Sequence, residues 1–116
     1  MNVAIVGSRD YQHLERVRAY VRTLPSDTVV ISGGARGVDT VAEQAAREAG
    51  LEVIVLYPEW DRLGKAAGFA RNKEIVSRAD KIVAFYNGTS KGTAHTLGLA
   101  RINHKPYTII LDEEDE

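Results

Sequence analysis

Ser32-Gly33-Gly34-Ala35-Arg36-Gly37-Val38-Asp39 is the stretch whose reading decides the fold. An apolar run at residues 28–31 enters it, and a helical pattern over residues 40–49 leaves it. Three glycines in five residues, between a strand and a helix, let the backbone turn sharply and approach a ligand closely. The helix that follows offers unpaired backbone N–H groups and the positive end of its dipole, and both favour a phosphate or carboxylate. The alternative is a tight turn whose glycines serve chain direction alone. The rest of the chain decides between them.

Outward from this stretch, the sequence alternates between two periods. Towards the start, residues 2–7 are an apolar run ending in Gly7, read as a first strand. Leu14, Val17, Val21 and Leu24 then recur at helical spacing until Pro25 stops them. Val29-Val30-Ile31 is β-branched without alternation, as in a strand buried on both faces. The next helix gathers Val38, Val41, Ala42, Ala45, Ala46 and Ala49 on one side, with Thr40 and Glu43 at capping-box spacing and Gly50 as its stop. Residues 51–56 are a third strand, ended by Tyr57-Pro58, and residues 59–64 read as a loop. A helix over 66–79, a strand over 81–86, a second glycine-bearing loop over 87–93, a helix over 92–102 and a strand over 106–111 follow. Five strands alternating with four helices predict an α/β fold: one Rossmann-like three-layer domain over residues 1–111, with a mainly parallel sheet and helices on both faces. Residues 112–116, Asp-Glu-Glu-Asp-Glu, read as a solvated acidic tail.

Composition narrows the function. The chain has 116 residues, enough for one core, with 44% apolar and 27% charged residues. It holds no cysteine, which excludes disulfide and thiolate chemistry and fits a reducing compartment, so a cytoplasmic protein is expected. Residues 1–6 read as a strand without a basic leader, and no apolar run is long enough to cross a membrane. A net charge of −1 argues against a general nucleic-acid binder.

In an open parallel sheet, ligands sit beyond the carboxyl ends of the strands. The loops there carry Gly7-Ser8-Arg9, Ser32 to Asp39, Tyr57 to Gly64 and Asn87 to Thr93, whereas the opposite edge shows only turn residues. Arg9, Arg36, Arg62 and Lys65 put cations near that edge of a nearly neutral protein, which suits a small anion. Trp60 is placed to stack on a base or to cover apolar surface. In the third helix Phe69, Val76 and Ala79 form a stripe, with Asn72 within it and Arg71 on its flank beside Ile75. Polar groups on a buried face need partners, either loop backbone or a ligand. His13, His95 and His104 have no metal-ligand spacing, so neither a metal nor another cofactor is expected. Ala66, Ala67, Leu97 and Leu99 look like apolar positions left for a helix-built dimer.

These pieces together resemble the superfamily that joins the DNA-processing protein A domain with the LOG-type phosphoribohydrolases, known as SLOG. Within it the chain is most similar to the small stand-alone proteins of the domain of unknown function 2493, the YspA and YpsA-related family. The resemblance rests on Gly7-Ser8-Arg9, the stretch 32–39, Ala42, Pro58-Glu59-Trp60, Gly64-Lys65-Ala66-Ala67-Gly68, Arg71-Asn72, Ala79-Asp80 and Gly92-Thr93, in the family's order. It implies a nucleotide or nucleotide-derived ligand held by the glycine loops, and often a homodimer. On that reading Gly33, Gly34, Ala35, Arg36 and Gly37 cradle phosphate while Gly92 and Thr93 close the other side. Gly7, Ser8, Arg9, Ser32, Asp39, Trp60, Arg71 and Asn72 complete the site. One departure bears on chemistry. LOG-type hydrolases carry a Glu in the second loop's motif, and Thr96 stands there in this chain. A threonine hydroxyl neither activates water nor stabilises an oxocarbenium ion at neutral pH. A binding protein is therefore expected. The alternatives are a phosphoribohydrolase using Arg71 with Glu59 or Asp61, and a DNA-processing A-like module for single strands.

Overall fold

The computed structural model describes residues 1–113. Its sheet begins with β1 (Asn2–Gly7), and Val3, Ala4, Ile5 and Val6 are all buried, because helices cover both faces of this strand. β1 lies at the centre of a five-stranded, wholly parallel sheet with β2 (Val29–Ser32), β3 (Glu52–Val55), β4 (Lys81–Tyr86) and β5 (Tyr107–Leu111), in the order β3-β2-β1-β4-β5. Ala4 of β1 faces Ile31 on one side and Ile82 on the other. Helices α1 (Leu14–Arg22) and α2 (Val38–Glu48) bring Val17, Val21, Val38, Ala42 and Ala46 onto Val3, Ile5, Val30, Val83 and Phe85. On the opposite face α4 (Ala67–Arg78) and α5 (Lys91–Ile102) set Ile75, Val76, Leu97 and Ala100 onto Ala4, Val6, Ile31, Ile82 and Ala84. Alternate residues of one strand thus enter different cores, which is why the strands read as unbroken apolar runs. The strand order reverses between β1 and β4, and a crevice opens there at the carboxyl edge.

Five expectations are corrected. The predicted capping box does not form: α2 starts at Val38 behind Gly37 (φ 80°), Thr40 Oγ1 donates to the Ala35 carbonyl at 2.9 Å, and Glu43 accepts from Ser32 Oγ at 2.6 Å. The loop expected over 59–64 holds a short helix, α3 (Trp60–Leu63), which leads into a 3₁₀ turn at Gly64–Ala66. Phe69 is 54% exposed, and the buried stripe of α4 is Ala67, Asn72, Ile75 and Val76. Ala67 and Leu97 lie in the chain's own core, so they are not surface for a dimer. Finally, Asp112 is anchored rather than solvated: its carboxylate accepts from the Gln12 N–H (2.8 Å) and the His13 N–H (3.2 Å) and meets His13 Nδ1 at 2.5 Å. Those bonds hold the Asp112 pKa below its usual value against the opposing effect of burial. Glu114, Asp115 and Glu116 of the predicted tail lie outside the described residues.

Candidate functional site

The crevice at the strand reversal is a cavity of about 550 Å³. The β1 loop contributes Gly7, Arg9 and Asp10, and the glycine stretch contributes Gly33, Ala35 and Asp39. Arg71, Asn72 and Ile75 of α4 form another wall, and Asn87, Ser90, Gly92, Thr93 and Thr96 the last.

The glycine stretch is shaped by its own carboxylate. Asp39, 5% exposed, accepts the Ala35 N–H through Oδ2 at 3.1 Å, while Oδ1 is buried without a partner. Burial drives its pKa up to about 7, against the pull of the Ala35 N–H, the Arg71 charge and the Gly33 N–H. A carboxyl oxygen therefore already occupies this amide, and it belongs to the chain. The glycines are needed for packing. A Cβ at Gly37 would lie 2.6 Å from the Arg9 carbonyl oxygen, and one at Gly34 (φ 72°) would lie 2.5 Å from the Tyr57 ring. One at Gly33 would lie 2.6 Å from Arg71 Nη1 and 3.1 Å from Asp39 Oδ2, so a guanidinium and a carboxylate flank the same backbone atom.

Arg71 donates through Nη1 to the Gly33 carbonyl and through Nε to Asn72 Oδ1 at 2.9 Å. Burial lowers its pKa, the Asp39 charge raises it, and Arg9 lowers it further. Asn72 is 6% exposed, and its Nδ2 lies 3.1 Å from His95 Nδ1. The polar pair on the third predicted helix thus finds partners in loop backbone and in α5.

Across the cavity the loop after β4 is built by Asn87, whose Oδ1 accepts from the N–H groups of Thr89 and Ser90, both at 2.9 Å. Asn87 Nδ2 donates to Asp10 Oδ1 at 2.6 Å and its N–H donates to the buried Ser8 Oγ at 3.1 Å, joining the β1 and β4 loops. Ser90 caps α5, accepting from the Thr93 N–H at 3.4 Å. A first-turn N–H such as that of Gly92 has no acceptor within its own helix. A Cβ at Gly92 would meet nothing within 4 Å, so the backbone is open there. Asp10 lies outside the stretches expected at the site, and Asn87 and Ser90 fall in the expected Asn87 to Thr93 loop without being singled out there. The Ser90-Lys91-Gly92-Thr93 spacing, a hydroxyl cap three residues before its N–H donor, was the signal for one of them.

The other expected residues are distributed as follows. Gly7, Arg9, Gly33, Ala35, Asp39, Arg71, Asn72, Gly92 and Thr93 share the cavity. Gly34, Arg36 and Trp60 line an adjoining hollow of about 500 Å³ with Tyr57 and Pro58, and Arg9, Gly33, Ala35 and Arg71 are common to both. Ser8 and Ser32 are fully buried and bonded within the protein, and Gly37 is the residue preceding α2. Glu59 pairs with Arg62 in a separate depression, and Asp61 is exposed on α3. Thr96, 2% exposed, donates to the Gly92 carbonyl at 3.1 Å.

No helix among the described residues is long and apolar enough to cross a membrane. The chain is 40% identical over 79 residues to the gene 61 protein of Mycobacterium phage D29, an alignment covering 63% of each. Its fold matches DNA processing protein A from Streptococcus pneumoniae with a TM-score of 0.81 at 23% identity, covering 93% of this chain and 49% of that one. DNA processing protein A from Helicobacter pylori, which binds single-stranded DNA, matches with a TM-score of 0.70 at 22% identity over 94% of this chain and 64% of that one. The chain spans less than two thirds of the length of each of these relatives. Residues 1–63 match the YspA, cpYpsA-related SLOG family, and the chain belongs to that family.

Proposed function

We propose that the protein binds a nucleotide or nucleotide-derived ligand, a phosphorylated nucleoside, in the cavity at the strand reversal, and that it senses or sequesters this ligand. One observation carries the reading: Arg9, Arg71 and the N-terminal turn of α5 border the same 550 Å³ cavity. Cations and a helix N-terminus favour an anion, and the volume is that of a small-molecule site. The phosphate would sit towards Gly92, Thr93 and Arg9, away from the Asp39 carboxylate, with Arg71 between phosphate and sugar. Gly7, Gly33, Ala35 and Asn72 shape the wall. The exposed rings of Tyr57 and Trp60, beside Arg36 and Gly34, offer a base a stacking surface in the adjoining hollow. Ser8, Ser32 and Gly37 act by holding the loops. Residues 1–111 form the nucleotide-binding unit, and a cytoplasmic setting goes with a chain that has no cysteine.

Native mass spectrometry of freshly purified protein, followed by calorimetric titration with the purine and pyrimidine monophosphates, tests this. A co-purified or titrated nucleotide lost in Arg71→Ala is expected. Failure of every monophosphate to bind would sink it, and salt-dependent binding of an oligonucleotide instead would favour the single-strand alternative.

Asp39 supports a second reading. It is a carboxylate in the cavity with a pKa of about 7, whereas Glu59 and Asp61 lie elsewhere and Thr96 is bonded to Gly92. A phosphoribohydrolase of this family would therefore use Asp39 as its acid–base group. Free base appearing at catalytic rates, and lost in both Asp39→Asn and Arg71→Ala, would establish it.

The homodimer remains part of the proposal, with its surface moved. Tyr107, Ile109 and Leu111 alternate on one side of the edge strand β5 and are all exposed. A second copy can meet this edge about a two-fold axis, pairing backbone groups that β4 leaves free.

A further inference from the structure

Three side chains form a chain of contacts leading from α5 to the cavity. His95 Nδ1 meets Asn72 Nδ2 at 3.1 Å, Asn72 Oδ1 accepts from Arg71 Nε at 2.9 Å, and Arg71 Nη1 donates to the Gly33 carbonyl. We propose that His95 is a positioning residue for Arg71, acting through Asn72: a neutral imidazole protonated on Nε2 locks the Asn72 amide, and the amide locks the guanidinium beside the cavity. The proposal rests on the nucleotide reading, in which Arg71 meets the ligand.

Donor and acceptor rules leave one arrangement. Guanidinium nitrogens only donate, so the amide end facing Arg71 Nε is the carbonyl. The end facing His95 is then the NH₂ group, which has no lone pair to offer. His95 Nδ1 must therefore accept, which puts the ring proton on Nε2. The Phe69 ring, edge-on at a centroid distance of 4.6 Å, holds the imidazole in this orientation. Phe69 is exposed, and this contact gives it a role outside the core.

Protonation of His95 places an N–H against the NH₂ group. Turning the amide over removes that conflict and creates another, because NH₂ then faces Arg71 Nε–H. In the first case the amide that holds Arg71 loses its own anchor on His95. In the second Arg71 loses its acceptor, and its bond to Gly33 alone leaves the guanidinium free to swing. Burial, and after it the Lys73 charge on α4, lower the His95 pKa and so favour the neutral ring. The ring's state thus sets how firmly Arg71 is held. Asp39, which faces Arg71 in the cavity and takes up its proton as pH falls through about 7, acts in the opposite sense on anion binding. The contribution of His95 is therefore the difference between wild type and a variant that cannot titrate there.

Side-chain ¹⁵N spectra of the ligand-free protein provide the test without any ligand. At pH 7.5 His95 is expected as the Nε2–H tautomer, with a resolved Arg71 Nε–H signal. Acid titration moves or broadens that signal at the midpoint of His95's own titration. In His95→Gln, whose carbonyl accepts from Asn72 without titrating, the signal persists through the same range. Titration with adenosine 5′-sulfate, an analogue of fixed charge, adds the functional readout. His95→Leu weakens binding about tenfold at pH 7.5, whereas His95→Gln stays near wild type at that pH and binds more tightly than wild type once His95 is protonated, Asp39 being common to both. An Nδ1–H tautomer, or an Arg71 signal indifferent to His95's titration, overturns the proposal. Absence of adenosine 5′-sulfate binding alongside the expected spectra would count against the nucleotide reading and leave the Asn72 lock established.

Discussion

Asp39 shows how one side chain can invert the reading of a motif. The glycine stretch looks like a cradle for an incoming anion, but its Ala35 amide already holds the carboxylate that follows Gly37 by two residues. Nothing in the spacing revealed this, because an acceptor in the first turn of a helix reads equally as a ligand contact. Arg71 and Asn72 were legible, since polar groups on an apolar stripe announce a need for partners. Their partners come from β2's loop and α5, far away in sequence. The raised pKa of Asp39 has a definite sign. The folded state keeps the proton to about pH 7, while the unfolded chain releases it near pH 4. Asp39 therefore costs stability progressively as pH rises through that window, and no further above it. In urea titrations, the stability of wild type relative to Asp39→Asn should fall between pH 4 and pH 7 and then level off. A flat difference would mean an ordinary carboxylate. Arg71→Lys keeps the charge but cannot reach Gly33 and Asn72 together, so nucleotide affinity should drop about tenfold or more, read by calorimetry.

Among the elements, the two glycine-bearing loops divide the work differently from their similar composition. Glycines of the first loop make room for neighbouring groups, with Gly34 and Gly37 at positive φ, whereas Gly92 in α5 borders open space. Gly37→Ala should lower stability by about 1–3 kcal/mol, from strained φ and the collision with the Arg9 carbonyl. Gly92→Ala should hold or raise the melting temperature, since alanine favours helix by up to about 1 kcal/mol. Gly92→Asp should leave the fold intact yet weaken anion binding severalfold. Thermal melts with calorimetry separate these outcomes. Equal melting temperatures for the Gly37 and Gly92 alanine variants would refute the division. Strand positions were readable because burial on both faces leaves unbroken apolar runs. The misplaced pieces were short or phase-sensitive. Four residues of α3 carry too little periodicity to register, and Phe69 is apolar yet packs on His95 outside the core.

For the molecule as a whole, the proposed dimer is tested at the exposed apolar face of β5. Light scattering at tens of micromolar should give a dimer mass, and Ile109→Lys should reduce it to a folded monomer whose melting temperature no longer rises with protein concentration. A monomeric wild type at that concentration would rule this surface out. The central place of β1 also has a consequence in time. It is translated before the other four strands of the sheet, gains β2 about thirty residues later, and gains β4 only once residue 86 has been made. Until then a nascent half-sheet presents the backbone of β1 as a bare rim, with Ala4 and Val6 lacking the cover of α4 and α5. Refolding yield should consequently fall as protein concentration rises, and a peptide spanning β4, supplied in excess, should compete for that rim.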